Sequence, residues 1–151
     1  MFALVRRFIK TAVVFLFLGL GYGGWLLARR EIGRTWPAPH QVSAHAHVVG
    51  VGFVMFLILG VALWLFPRPA RGDTRYRPAR IEAAWWLLAP ATLVRFLGEA
   101  ARPAVPGAWL GWVIIATAAA QVTGLALYFH TMWSRIRPVG SRLREERGER
   151  F

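Results

Sequence analysis

The chain has 151 residues, of which 56% are hydrophobic and 17% are charged, yet its formal net charge is +12. Soluble domains average roughly 45–50% apolar and about 25% charged residues, so this composition excludes a disordered chain and argues against an ordinary soluble domain. The absence of cysteine excludes disulfides, thiolate metal sites, thioether-attached haem and cysteine nucleophiles. What remains is a membrane protein or a very basic nucleic-acid-binding protein.

The distribution of arginine favours the membrane protein. Basic residues lie between long apolar runs, whereas a nucleic-acid-binding domain gathers them on one face of a folded unit. Four runs approach the roughly 20 residues that a helix needs to cross a bilayer. The sequence therefore predicts an all-α integral membrane protein with a single domain, 1–151, and no nucleic-acid partner. Its four transmembrane helices are expected at about 8–29, 42–66, 81–102 and 108–135, before a basic and acidic tail at 136–151.

Flanking charges predict the orientation. Most Lys and Arg residues lie before the first run, between the second and third runs, and in the tail. Cytoplasmic segments of membrane proteins carry this excess, so both termini are predicted to be cytoplasmic. The stretch from Leu20 to Trp25 is a poor cleavage site, and we therefore expect the first helix to be retained as a span.

Small residues predict where helices approach closely. The first helix carries Gly19-x-x-x-Gly23, and the fourth has Ala116, Ala120 and Gly124 at four-residue spacing. Such stripes allow close backbone contact in membranes, and packing within the chain is the expected use. At the start of the second helix, Ser43 is a candidate N-cap.

Histidines are the residues with the most distinctive chemistry. His45 and His47 lie in the first turns of the predicted second helix, where residues two apart point about 200° apart. They cannot hold one metal ion together, but they present an imidazole to each of two opposite sides. Haem iron accepts axial imidazoles, and without Cys-x-x-Cys-His the haem would be b-type. Interfacial hydrogen bonding is the alternative for this pair. His40 is expected in a solvated loop, and His130 at the membrane interface.

A family resemblance bears on this pair. The stretch from Ala44 to Pro67, AHAHVVGVGFVMFLILGVALWLFP, resembles the histidine-bearing tenth helix of subunit I in the haem–copper oxidase superfamily, which includes nitric oxide reductases. The shared features are the Ala-His-x-His pair, the mid-helix Gly60 and the Leu65-Phe66-Pro67 ending. The resemblance implies that His45 and His47 ligate haems on opposite faces. It also implies a multi-pass protein of a bacterial or archaeal inner membrane.

The chain departs from that family in one important respect. The reductase centre needs a second metal held by further histidines, and no second His-x-His or His-His pair occurs here. No catalytic residue is therefore predicted, and enzymatic activity is left open, with a non-enzymatic role favoured. The chain resembles one of the three four-helix units of the family's subunit I.

Opposite-facing ligands also predict an assembly. Contacts through His45 on one side and His47 on the other are heterologous, and heterologous contacts either close into rings or continue as filaments. The threefold arrangement of the family suggests a homotrimer with one haem at each interface. Haem propionates need cations, for which the candidates are Arg95 and Arg102, with Arg34 and Trp36 near a haem edge. A helix pair between Arg95 and Glu99 is the alternative.

The sequence supports two candidate functions. The first is a membrane b-type haem protein for respiratory electron transfer, with haems ligated by His45 and His47 between subunits. The alternative is a haem-free accessory or assembly subunit of a larger terminal oxidase or nitric oxide reductase.

Overall fold

The computed structural model describes residues 2–67, 69, 74, 76–136 and 147–148. These residues are all-helical and contain no strand, as the sequence predicts. The helices are α1 (Phe2–Glu31), α2 (Pro39–His47), α3 (Phe56–Leu65), α4 (Pro78–Ala101) and α5 (Ala108–Met132). A π-helical segment, Val48–Met55, joins α2 to α3 without a break, so Pro39–Leu65 is one composite helix. A short 3₁₀ turn, Trp133–Arg135, follows α5.

Three helices are long and apolar enough to cross a membrane: Phe2–Glu31, Pro39–Leu65 and Ala108–Arg135. This agrees with the predicted multi-pass membrane protein. The remaining predicted span, 81–102, corresponds to α4, whose 24 residues extend about 36 Å at 1.5 Å per residue. It carries charged residues at both ends, and it is not among the helices that are apolar enough to be candidate membrane spans.

The composite helix begins earlier than the sequence suggests. Ala38 is its N-cap, Pro39 takes the first helical position, and the Ala38 N–H donates to Gln41 Oε1 at 3.1 Å. Proline suits this position because its φ is already helical and its missing N–H would have no helical partner. The prediction of Ser43 as N-cap is therefore wrong. His40 likewise lies exposed in the first helical turn and not in a loop.

The π-helical segment has a clear local cause. Its sequence, VVGVGFVM, combines β-branched residues with Gly50 and Gly52, which are weak helix formers. Close packing against α1 adds to this, because a Cβ on Gly52 would lie 2.7 Å from Phe15 Cγ, and one on Gly19 would lie 2.6 Å from Val49 Cγ2. Wide turns of this kind occur where a helix is distorted by packing or function. This one begins directly after His47.

Two helix pairs build the bundle. α1 packs along the composite helix, α4 packs along α5, and α2 joins the pairs by lying against α4. The predicted small-residue packing within the chain is confirmed at the glycines: Gly19 faces the composite helix, and Gly124 faces Leu88 of α4. Ala116 is exposed, so the predicted stripe on α5 is not buried along its whole length. Rings of Phe8, Phe56 and Tyr128 meet in the core, and the Tyr128 hydroxyl donates to the Leu59 carbonyl at 2.6 Å.

Arg135 is fully buried at the end of the bundle opposite the histidine pair. Its guanidinium donates to the carbonyls of Leu63, Phe66 and Pro67 at 2.8–3.0 Å. These carbonyls belong to the C-terminal end of α3, which has no intrahelical donors left for them and carries partial negative charge. Arg135 thus caps α3 from another helix pair. Apart from residues 136, 147 and 148, the predicted tail lies outside the described residues.

Candidate functional site

His45 and His47 lie on opposite sides of α2, as their spacing predicts. A Cβ built on Gly23 of α1 would lie 2.7 Å from His45 Cε1, so the His45 ring faces α1. His47 instead contacts Glu99 and Arg95 of α4. The two imidazoles therefore belong to two different helix interfaces.

The His47 side is an ion-pair cluster. Glu99 accepts from His47 Nδ1 at 2.8 Å through Oε2, and from Arg95 Nε at 3.0 Å through Oε1. Arg95 Nη2 lies 2.9 Å from His47 Nε2, which closes a ring of three side chains. The Glu99 side chain is only 4% exposed, compared with 19% for Arg95 and 29% for His47. We call these three residues the His47 triad.

Polar side chains extend the triad into the bundle. Arg95 Nη1 donates to Gln121 Oε1 at 2.9 Å, and Gln121 Nε2 donates to Thr92 Oγ1 at 2.9 Å. The Thr92 hydroxyl donates to the Leu88 carbonyl at 2.7 Å, so the chain of hydrogen bonds ends on the backbone of α4. Gln121 of α5 thus forms hydrogen bonds with two side chains of α4. A buried network is stabilising when every member has a partner.

The partners of His47 determine its tautomer. A guanidinium can only donate hydrogen bonds and an ionised carboxylate can only accept them. His47 Nδ1 therefore carries a proton for Glu99, and Nε2 accepts from Arg95 with its lone pair. Ser43 Oγ lies 3.3 Å from the same Nδ1. In this arrangement the imidazole is neutral, and its metal-binding lone pair is occupied.

The His45 side is chemically different. His45 Nδ1 is buried, yet no residue of the described part of the chain forms a hydrogen bond with it. The ring lies in a cleft of about 250 Å³ between α1 and α2, with Gly23 beneath it and Arg30 at its rim. Any larger residue than glycine at position 23 would occupy the space of the imidazole. We call this space the His45 cleft.

The chain's residues fit a haem on one side and not on the other. At the His45 cleft, an imidazole without a hydrogen-bond partner among the described residues could serve as a ligand, and the nearby Arg30 could pair with a propionate. At the His47 triad, Arg95 occupies the lone pair that iron would need. Among the described residues, no three His, Asp or Glu side chains are grouped closely enough to hold a bare metal ion.

The other predicted site residues divide between these two sides. Arg34 and Trp36 are exposed and share a shallow depression with Arg30, beside the His45 cleft. Arg95 belongs to the His47 triad, and the predicted Arg95–Glu99 pair is present. Arg102 instead donates to the carbonyls of Val105 and Gly107, which closes the turn between α4 and α5.

Some members of the site were not recognised from the sequence. Thr92 was not singled out as a binding residue, although Thr92, Arg95 and Glu99 follow one another at spacings of three and four on one face of α4. That polar stripe on an otherwise apolar helix was the available signal. His130, expected at the interface, is exposed on α5 and belongs to neither side.

The described residues form an all-helical, multi-pass membrane-type fold with a His–Glu–Arg cluster around the buried Glu99 on one side of α2. On the other side, the buried Nδ1 of His45 has no hydrogen-bond partner within the described part of the chain. Comparisons with protein-family models, curated proteins and solved structures found no match to this chain.

Proposed function

We propose that this protein is a b-type haem protein of a bacterial or archaeal inner membrane and serves respiratory electron transfer. The observation that carries the proposal is the His45 cleft, where a half-buried imidazole has no hydrogen-bond partner among the described residues. Neither nitrogen of this ring is used in a hydrogen bond within the described part of the chain, so the imidazole is available as a ligand for haem iron. Haem iron, once bound, supplies one-electron transfer.

The proposal includes a fourth membrane span and cytoplasmic termini. α4 is long enough to cross a bilayer, and three of its four charged residues have charged partners: Glu82 pairs with Arg7 at 2.7 Å, while Arg95 and Glu99 belong to the His47 triad. Intramembrane charges are tolerated when they face the bundle interior and pair with one another. The basic N-terminal residues Arg6, Arg7 and Lys10 support the orientation.

Haem would be held by residues from two adjacent subunits. His45 of one subunit provides an axial imidazole, with Arg30, Arg34 and Trp36 near the haem edge. His47 of the partner subunit would be the second ligand, which requires its Nε2 to be released from Arg95, 2.9 Å away in this structure. Arginine matches a carboxylate in shape and charge, so the same side chain that occupies His47 in the isolated chain has a destination in the assembly.

A ring follows from the use of opposite faces. Each subunit offers His45 on one side and His47 on the other, so its contacts are heterologous and close only as a ring. We propose a homotrimer with three interfaces and one haem per chain. A haem held by both His45 and His47 would suit electron transfer better than gas reduction.

The test is the absorbance of the full chain purified from haem-replete cells. We expect a Soret band, and sharp α and β bands on reduction, at one haem per chain. Both His45→Ala and His47→Ala should remove these bands, while His40→Ala and His130→Ala serve as controls and should keep them. A colourless wild-type protein, or bands that survive loss of both His45 and His47, would overturn the proposal.

A second candidate function is a haem-free accessory or assembly subunit of a larger terminal oxidase or nitric oxide reductase. It is favoured by the His47 triad, which is hydrogen-bonded within one chain without any cofactor. This candidate predicts a colourless protein that co-purifies with a haem-containing oxidase or reductase. A coloured protein that sediments as an isolated trimer would exclude it.

A further inference from the structure

A groove of about 490 Å³ lies between α1 and α4. It is lined by the N-terminal half of α1, whereas the His45 cleft is lined by the C-terminal half. Its walls are almost wholly apolar, with Val14, Phe15 and Leu18 on α1 facing Ala89, Pro90 and Leu93 on α4. Pro90 lies inside α4, where a proline removes one backbone hydrogen bond. Ala89 and Pro90 are small or compact, and the space between them and α1 is open.

One end of this groove is basic and polar. Arg7 and Lys10 line it there, beside Thr11 and Trp85. Arg7 pairs with Glu82 at 2.7 Å and lies over the Trp85 ring at 5.2 Å, while Trp85 Nε1 donates to Thr11 Oγ1 at 3.1 Å. These contacts join the two helices at the basic end and leave the apolar part open.

Lys10 differs from its neighbour Arg7 because it has no partner. It is exposed, and no described residue forms an ion pair with it. It also stands directly before the uncharged run of α1 that starts at Thr11, which is the depth of a membrane's headgroup layer. The groove therefore combines a hydrocarbon-lined channel with an unneutralised cation at the headgroup level.

We propose that this groove is a binding site for one anionic phospholipid. One acyl chain lies between α1 and α4, and the headgroup phosphate contacts Lys10. Basic pockets between membrane helices select anionic headgroups in this way. A zwitterionic lipid offers the same acyl chains, but its own ammonium group competes with Lys10 for the phosphate. The selectivity is therefore expected to come from Lys10, and the affinity from the groove.

The test uses the purified full chain in mild detergent, mixed with equal amounts of phosphatidylglycerol and phosphatidylcholine that carry identical acyl chains. Native mass spectrometry counts the lipids retained. We expect phosphatidylglycerol to exceed phosphatidylcholine by about fivefold, the factor for one cation near a membrane surface. Lys10→Gln should bring the ratio to about one, whereas Arg29→Gln, which removes the same charge at the other end of α1, should leave it unchanged.

A second pair of variants tests the groove itself. Val14 lines the groove and Val13 does not, although both are exposed on α1. Val14→Trp should abolish retention of both lipids, and Val13→Trp should not. Equal retention of the two lipids by the wild type, equal effects of Lys10→Gln and Arg29→Gln, or full retention by Val14→Trp would each overturn the proposal. Haem content plays no part in these measurements.

Discussion

The two sides of α2 each carry a histidine, and the two histidines differ in their hydrogen-bond partners. On one side, His47 donates to a buried carboxylate and accepts from a guanidinium, so both ring nitrogens have partners. On the other side, His45 packs against the bare backbone of Gly23 and its Nδ1 has no partner among the described residues. The two histidines are only two positions apart, yet the His47 imidazole is held by hydrogen bonds within the bundle and the His45 imidazole is available to a ligand.

That difference shows what makes a histidine available. Both side chains are partly buried at the same level of one helix, so neither depth nor exposure distinguishes them. The two histidines are distinguished by the neighbouring helix: α4 places charged side chains next to His47, while α1 places a glycine next to His45. The following experiments test this contrast, beginning with the largest expected effect.

Replacing Glu99 should produce the greatest loss of stability. Glu99→Ala removes the acceptor of both His47 Nδ1 and Arg95 Nε and leaves a buried guanidinium without its counter-charge. Breaking a buried pair from one side costs about 3–5 kcal/mol. The free energy of unfolding, measured in mixed micelles by circular dichroism, reports this.

Glu31→Ala is the matched control for Glu99→Ala. Glu31 pairs with Arg30, but both side chains are about half exposed or more, and pairs of this kind contribute roughly 0–1 kcal/mol. If the two variants lost similar stability, the His47 triad would be no more important than a surface ion pair.

Direct comparison of the two histidines should give an intermediate effect. His47→Ala removes hydrogen bonds to two charged groups, which are worth about 1.5–3 kcal/mol. His45→Ala removes a ring with no hydrogen bond to lose, and its cost should be clearly smaller. Unfolding of the haem-free protein in the same micelles measures both. A larger loss for His45→Ala would reverse the assignment of roles.

Gly23→Ala should have the smallest effect on the free energy of unfolding, and it tests the contact between Gly23 and the His45 ring directly. A Cβ at Gly23 would meet the His45 ring at 2.7 Å, whereas nothing lies within 4 Å of one at Gly24. Gly23→Ala should cost about 1 kcal/mol, the lower end for overpacking, because the imidazole can turn away. Gly24→Ala should be neutral or stabilising, since alanine favours the helix by up to about 1 kcal/mol.

The same pair of glycine variants connects stability to the proposed haem. If His45 ligates iron, a ring displaced by Gly23→Ala should hold haem less well than in Gly24→Ala, with absorbance per chain as the measurement. Equal haem retention in the two variants would separate the His45 cleft from the cofactor.

Much of the architecture follows from local signals. Apolar runs and prolines predicted an all-helical membrane-type chain, and the Gly19-x-x-x-Gly23 stripe predicted close packing within it. Helix starts were less well predicted, because Pro39 and Gln41 begin the composite helix ahead of Ser43. The π-helical segment was not predicted at all. Its β-branched and glycine residues weaken an α-helix, but the packing of Phe15 against Gly52 also contributes.

The histidine pair shows which features of the site can be predicted from local sequence and which cannot. Helical periodicity alone requires residues two apart to face opposite ways, so the separation of His45 and His47 was contained in their spacing. Which face meets Glu99 and Arg95, and which meets Gly23, depends on how four helices pack together. The ion pair of Arg95 with Glu99 is local to α4, but its closure through His47 and Gln121 joins three helices. Backbone geometry repeats along a chain and can be read from it, whereas the partner of a side chain lies on a distant segment that only the folded bundle brings near.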